Sequence, residues 1–271
     1  MSTLRVTILG CGSSGGVPRS TGNWGACDPK EPRNRRTRCG LMLQRWIGEA
    51  GAPEDATVAL IDTAPELRDQ LARLAPHHID AVLYTHDHAD QTHGIDDLRG
   101  FYIERRKRIP VYMDEPTRAL LVPRFYYCFH GVGSYPPPLE DAGELIPHDL
   151  VLVEGPGGAI LAEPLAQDHG GSVSLGFRVG PVAYSNDVVA LPDETMAALQ
   201  GLDLWIVDAL REAPHPTHAH LGLALDWIAE LKPERAVLTN LHLDLDYNAL
   251  KARLPEGIEP AYDGWSADFT V

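Results

Sequence analysis

Residues 80–94 read DAVLYTHDHADQTHG. The apolar run DAVLYT (80–85) passes without a break into His86, His88 and Asp90. A strand end presents side chains rigidly, and in extended backbone His86 and His88 share a face, so both can reach one ion. Each of these residue types supplies what a divalent transition metal accepts, a neutral imidazole nitrogen or a carboxylate oxygen. Asp90 falls just past the strand and can turn toward a neighbouring position. A lone H-x-H is more often a polar turn with solvent-facing histidines; Asp90, directly after a buried strand, tips the reading toward metal. Gln91 stands where a strongly metal-binding stretch would offer another histidine.

Other apolar runs end in the same way. Strands are expected over LRVTIL (4–9), VALID (58–62), AILAEPLA (159–166), LGFRVG (175–180), VAYSND (182–187), DLWIVDA (203–209) and RAVLTN (235–240). His169 follows one of them in QDHGG, Asp187 ends another and could bridge two ions, and LTNLHLDLDY offers Asn240 and His242. Helical patterns lie between. TAPELRDQLARLAP carries Leu67, Leu71 and Leu74 on one face, with a capping-box pattern in Thr63 and Glu66. HLGLALDWIAEL carries Leu221, Leu225 and Ile228, and DETMAALQGL (193–202) reads as a shorter helix. Residues 128–149, rich in Pro and Gly, read as a long loop. No composition shift marks a linker, so residues 1–271 are expected to form a single domain, with two sheets covered by helices on the outside.

The order H-x-H-x-D, then His169, Asp187 and the LTN–LH stretch resembles the metallo-β-lactamase superfamily of hydrolases. LGCGSSGGVPR (9–19), IDTAPELR (61–68), HGIDDLR (93–99) and AYDGW (261–265) make the chain similar to its phosphodiesterase branch, typified by phosphoribosyl cyclic phosphate phosphodiesterase of the carbon–phosphorus lyase pathway. The resemblance implies an α/β fold: an αββα sandwich of two mixed sheets flanked by helices, with a di-metal site at the strand ends. His86, His88 and His169 would hold the first ion, Asp187 would bridge, and Asp90 would hold the second. Two histidines that complete the family's second site are replaced here by Gln91 and Asn240. Amide oxygens bind transition metals weakly, so the expectation is a tight first ion and a weak second one. Zinc or manganese suits the first; the oxygen-rich second also admits magnesium. His93 and His242, each two residues past a lost histidine, are candidate replacements, though such a displacement is ~6–7 Å in extended chain. The matching relative carries a further zinc on clustered cysteines; Cys27 lacks cysteine neighbours, so none is expected here.

The implied chemistry is hydrolysis by metal-bound water, whose pKa falls to near ~7 on zinc. Asp187 would hold the nucleophile. Asp62, at the end of VALID, could accept an imidazole N–H and orient a metal ligand. His218, in PHPTHAHL (214–221), falls on the family's general-acid histidine and would protonate the leaving oxygen. Arg99 and Arg36, the latter within the basic run Arg33, Arg35, Arg36 and Arg38, are candidate phosphate contacts.

Net charge is −15, which disfavours a long nucleic-acid partner, while a metal ion can reverse the potential in a pocket and admit a small anionic substrate. No stretch approaches the ~20 apolar residues that span a bilayer. The opening MSTLRVTILG goes straight into strand-like alternation, so no signal peptide is expected, and four scattered cysteines suit a reducing, cytoplasmic setting. Apolar helix faces would serve either a homodimer or the core. The favoured expectation is a phosphodiesterase on small cyclic or nucleotide-like phosphodiesters. A tRNase Z-like RNA-processing nuclease, a thioester, lactone or β-lactam hydrolase, and a one-metal binding protein without turnover stay open beside it.

Overall fold

The computed structural model describes residues Met1–Val271 and contains fourteen strands. In chain order these are β1 (Ser2–Gly10), β2 (Gly40–Ile47), β3 (Thr57–Ile61), β4 (Ala81–Leu83), β5 (Ile109–Met113), β6 (Leu139–Glu144), β7 (Val151–Val153), β8 (Ile160–Asp168), β9 (Val173–Val179), β10 (Val182–Ser185), β11 (Leu204–Asp208), β12 (Arg235–Thr239), β13 (Ile258–Pro260) and β14 (Ser266–Thr270). The helices are α1 (Leu67–Leu74), α2 (Ala89–Thr92), α3 (Arg99–Arg105), α4 (Glu115–Arg124), α5 (Tyr126–His130), α6 (Asp193–Ala198), α7 (Leu221–Leu231) and α8 (Tyr247–Lys251).

Two mixed sheets of seven strands result, ordered β14-β1-β2-β3-β4-β5-β6 and β13-β12-β11-β10-β9-β8-β7. The runs TVALI, AVL and LWIVD are buried at every position. Continuous apolar runs of this kind belong to strands covered on both faces, and β3–β4–β5–β6 and β10–β11–β12–β13 are indeed parallel ladders. Antiparallel pairs β1–β14, β2–β3, β8–β9 and β9–β10 make both sheets mixed.

Contacts sort the chain into two compact units, each drawn from separated stretches. The first comprises Met1–Leu9, Gly40–Ala162 and Ser266–Val271, the second Gly10–Cys39 and Glu163–Trp265. Each has its own core. In the first, Val58, Leu60, Val82 and Val111 of the strands and Tyr84 just after β4 pack with Leu67 and Leu71 of α1 and Leu121 of α4. In the second, Trp205, Val207 and Leu238 pack with Leu221, Ala224, Ile228 and Leu231 of α7.

Several local expectations change. The helix after VALID begins at Leu67, not at Thr63, and Glu66 makes no side-chain cap. Thr63 turns its hydroxyl to the Tyr84 hydroxyl, 2.7 Å away, and to the Thr92 carbonyl. The stretch expected as a loop over 128–149 contains the end of α5 and the whole of β6. Strand β2 escaped the sequence reading because GLMLQRWI has a single β-branched residue, Ile47 at its end; its first five positions, which include Leu41, Met42 and Leu43, are buried all the same.

One close approach holds the histidine-bearing turn against the end of β3. Thr63 N–H donates to the Gln91 carbonyl at 2.7 Å, and Gly94 N–H donates to the Thr63 carbonyl at 2.9 Å. A Cβ on Gly94 would lie 2.0 Å from the Ala64 carbonyl oxygen. Gly94→Ala is therefore expected to destabilise the fold by about 2–3 kcal/mol, since backbone and not a flexible side chain must yield; urea denaturation of the variant beside the wild type measures it.

Candidate metal centre

In the first unit, Asp62 follows β3 with φ 65°, and its carboxylate is fully buried. One oxygen accepts Thr85 N–H at 2.9 Å and the other accepts the Thr85 hydroxyl at 2.8 Å. That hydroxyl has a single proton, spent on Asp62, so toward His86 Nδ1, 2.9 Å away, it is an acceptor. The proton of His86 therefore sits on Nδ1, and the Nε2 lone pair is left for a metal. Asp62 reaches the imidazole through the Thr85 hydroxyl and not directly. The His88 ring lies with its centroid 4.4 Å from that of His86. Its backbone carbonyl accepts the Thr92 hydroxyl at 2.9 Å. Asp90 and Gln91 ride on α2; Gln91 is buried, with Nε2 3.5 Å from the nearer Asp90 oxygen. His93 is exposed and sets its ring edge-to-face on Phe125, at 5.6 Å.

In the second unit His169 follows β8. Its Nδ1 lies 2.7 Å from the Thr217 carbonyl, which can only accept, so again Nδ1 carries the proton. Gly170 permits that approach: a Cβ there would lie 2.5 Å from the Pro216 carbonyl oxygen, and its φ is +69°. Asp187 after β10 and Asn240 after β12 have φ of 51° and 60°. Asn240 Nδ2 donates to Asp187 Oδ1 at 2.7 Å and lies 3.1 Å from His218 Nδ1. The amide thus acts here as a donor to the carboxylate.

Asp208, the last residue of β11, completes this cluster. Ligand atoms of Asp187, Asp208 and His218 all lie within 4.8 Å of one another. His218 Nδ1 is 2.9 Å from Asp208 Oδ2 and 3.3 Å from Asp187 Oδ1. Carboxylates accept only, so Nδ1 bears a proton, and Nε2 on the far edge of the ring is the atom that can give or take one. Burial pushes the Asp208 carboxyl up, against the opposing pull of His218. Its Oδ1 is buried without a hydrogen-bond partner. The sequence reading passed over Asp208, although DLWIVDA shows the same signal as the other members: a buried strand ending on a carboxylate. His215 packs its ring 5.0 Å from that of His218, and burial, then repulsion from His218, lowers its pKa. Burial also pushes the Cys39 thiol, 3.9 Å from Asn240 Oδ1, well up, which keeps it protonated.

Two residues lie elsewhere than expected. Arg36 does not face a substrate: it is 1% exposed, and its guanidinium donates to the Leu245 carbonyl at 2.7 Å, the His242 carbonyl at 3.3 Å and Asn34 Oδ1 at 3.3 Å. Both terminal nitrogens of this buried cation are spent on oxygen acceptors, while Nε is buried without a partner. His242 pairs with Asp244 at 2.8 Å. Arg99, at the start of α3, is partly exposed, with Asp96 4.0 Å away and the Tyr135 ring 5.9 Å away. All four cysteines are buried free thiols.

The Arg36 network continues through Asn34 to Asp246, which accepts Asn34 Nδ2 at 2.6 Å and Ala249 N–H at 2.9 Å. Partial burial opposes ionisation of Asp246, but these donors outweigh it and lower the pKa. A depressed carboxylate adds stability that is fully present above the unfolded value near ~3.9 and is lost as pH falls through the folded value. Asp246→Asn should therefore narrow the stability difference from wild type as pH drops below about 4, as read from urea midpoints across pH.

Comparison with known proteins adds three findings. Residues 57–240 match the model of the beta-lactamase superfamily domain. An octanoyltransferase of Porphyromonas gingivalis (strain ATCC BAA-308 / W83) is 31% identical over 97% of this chain, which spans about half (51%) of that protein's length. Among solved structures, a diphosphatase from the PhnP family superposes with a TM-score of 0.87 at 33% identity, covering 99% of this chain and 98% of its own. Human tRNase Z, short form, superposes at 0.65 with 14% identity, covering 97% and 98%, a likeness of fold alone.

Proposed function

Because this chain belongs to the beta-lactamase superfamily, with the metallo-β-lactamase fold of its hydrolases, we propose that it is a metal-dependent phosphodiesterase acting on a small cyclic or nucleotide-like phosphodiester. The observation that carries the reading is the pairing of His218 with the buried Asp208. It fixes the imidazole through Nδ1 and leaves Nε2 to protonate an alkoxide leaving group, the need that distinguishes phosphodiester cleavage from thioester cleavage.

His86, His88 and His169 would hold one divalent ion, zinc or manganese. Asp187, with Asp90, Gln91 and Asn240, would hold a second, weaker ion, manganese or magnesium. The donors suit such ions: two imidazoles with their protons on Nδ1, clustered carboxylates, and a buried Asp208 oxygen with no partner. When bound, the ion supplies the Lewis acidity that makes water available as a nucleophile near neutral pH. Asp187 then orients the nucleophile. His218 delivers a proton from Nε2 to the departing oxygen, and Asp208 holds the ring in the productive tautomer. Arg99 is the remaining candidate for a phosphate contact.

An RNA-processing reading draws only on fold, and a net charge of −15 opposes a long polyanion. The acyl transfer in the Porphyromonas relative's name carries nothing here, since half of that protein lies outside the match.

The wild type is expected to hydrolyse bis-p-nitrophenyl phosphate when loaded with zinc, manganese or magnesium; no turnover with any of them retires the reading. His218→Ala should slow cleavage of a diester with an alkyl leaving group by about 10²-fold or more. The same variant should slow the p-nitrophenyl ester far less, because p-nitrophenolate departs without a proton. Equal losses on both substrates would remove His218 from the acid role.

A further inference from the structure

We propose that Arg124 is a positioning residue for the metal-binding turn: it grips Asp87 and through it sets the spacing of His86 and His88. The proposal rests on the reading of those two histidines as metal ligands. After β4 the chain runs through Thr85–His88 in neither helix nor strand. His86 is steadied by Thr85 and Asp62, and the His88 carbonyl by Thr92. Asp87, between the two, is tied from a distant element. Arg124 Nη1 donates to the Asp87 carbonyl at 2.7 Å, and Nη2 donates to its carboxylate at 3.1 Å.

A planar guanidinium bonded at two points fixes direction as well as distance. Its grip on the carbonyl holds the plane of the 87–88 peptide, and so the angle at which His88 leaves the turn. The carrier is itself fixed. Asp114 caps α4 by accepting Thr117 N–H at 3.0 Å, and Leu121 is buried in the core. Phe125, the next residue, packs on His93 at the other end of the turn. The helix end therefore meets the turn between the two histidines and again beyond them.

As a source of overall stability the ion pair counts for little, because its side chains are 36% and 27% exposed and exposed pairs are worth roughly 0–1 kcal/mol. Charge alone gives the opposite sign to positioning. Removing a cation near a divalent ion should tighten metal binding, whereas loosening the turn should weaken it.

The test measures zinc and manganese affinity by competition with a chromophoric chelator, together with melting of the metal-free protein. The proteins compared are wild type, Arg124→Ala, Arg124→Lys, Asp87→Asn and the double variant Arg124→Ala/Asp87→Asn. Arg124→Ala is expected to weaken affinity about tenfold, the usual scale for partners of metal ligands, with melting of the metal-free form unchanged. Lysine should restore part of the loss, and the double variant should bind no more weakly than Arg124→Ala alone. Affinity equal to or tighter than wild type in Arg124→Ala, or melting that falls along with affinity, overturns the proposal. A wild type that binds neither metal overturns the metal reading and this inference together, whereas a metal-binding wild type unaffected by Arg124→Ala sinks the inference alone.

Discussion

Three buried strands stop on strained polar residues, and the placement of the candidate site residues depends on them. Asp62, Asp187 and Asn240 each follow a strand, and each takes the left-handed backbone region, with φ between 51° and 65°. For an L-residue other than glycine that conformation costs roughly 1–2 kcal/mol, a cost Asp and Asn bear better than most. The left-handed residue lies just past the strand and leaves the polar side chain at the strand's end. The strain is sustained by what precedes it. TVALI, VAYS and all but the first residue of RAVLT are buried, so the cores hold the strand ends in place.

What each histidine can do is then decided by the group facing its Nδ1. A hydroxyl already committed to Asp62 faces His86, and the Thr217 carbonyl faces His169. Both partners draw the proton to Nδ1 and leave Nε2 as a lone pair, the state a metal ligand needs. Two carboxylates face His218 instead. They stabilise the imidazolium as well as the tautomer, which suits a group that carries a proton to a leaving oxygen. The same side chain is thus set up in two different states according to the charge of its neighbour.

At the two positions where the family resemblance implies further histidines, the chain carries Gln91 and Asn240. Asn240 uses its amide as a donor to Asp187, and Gln91 is buried beside Asp90. His93 and His242, candidate replacements in the sequence, are engaged with Phe125 and Asp244. The basic run follows the same pattern of redeployment. Arg33 pairs with Glu31, Arg35 lies over Trp24, and Arg36, which reads as a phosphate contact, bonds the His242 and Leu245 carbonyls and so fastens that segment.

The sequence by itself determined the metal-binding character and most of the buried strands. Both are written locally: a continuous run of Val, Ile and Leu must be covered, and a histidine or aspartate at its end has nowhere to go but an edge. DAVLYTHDHAD and VAYSND are legible for that reason. The tertiary structure alone decided the burial of Arg36, the relay from Asp62 through Thr85 to His86, the partnership of Asp208 with His218, and the grip of Arg124 on Asp87. Each joins residues from 10 to 209 positions apart, or turns on which way a hydroxyl spends its single proton. Such pairings leave no periodic trace along the chain, because they are set by where the strands end in space and not by the order in which the residues occur.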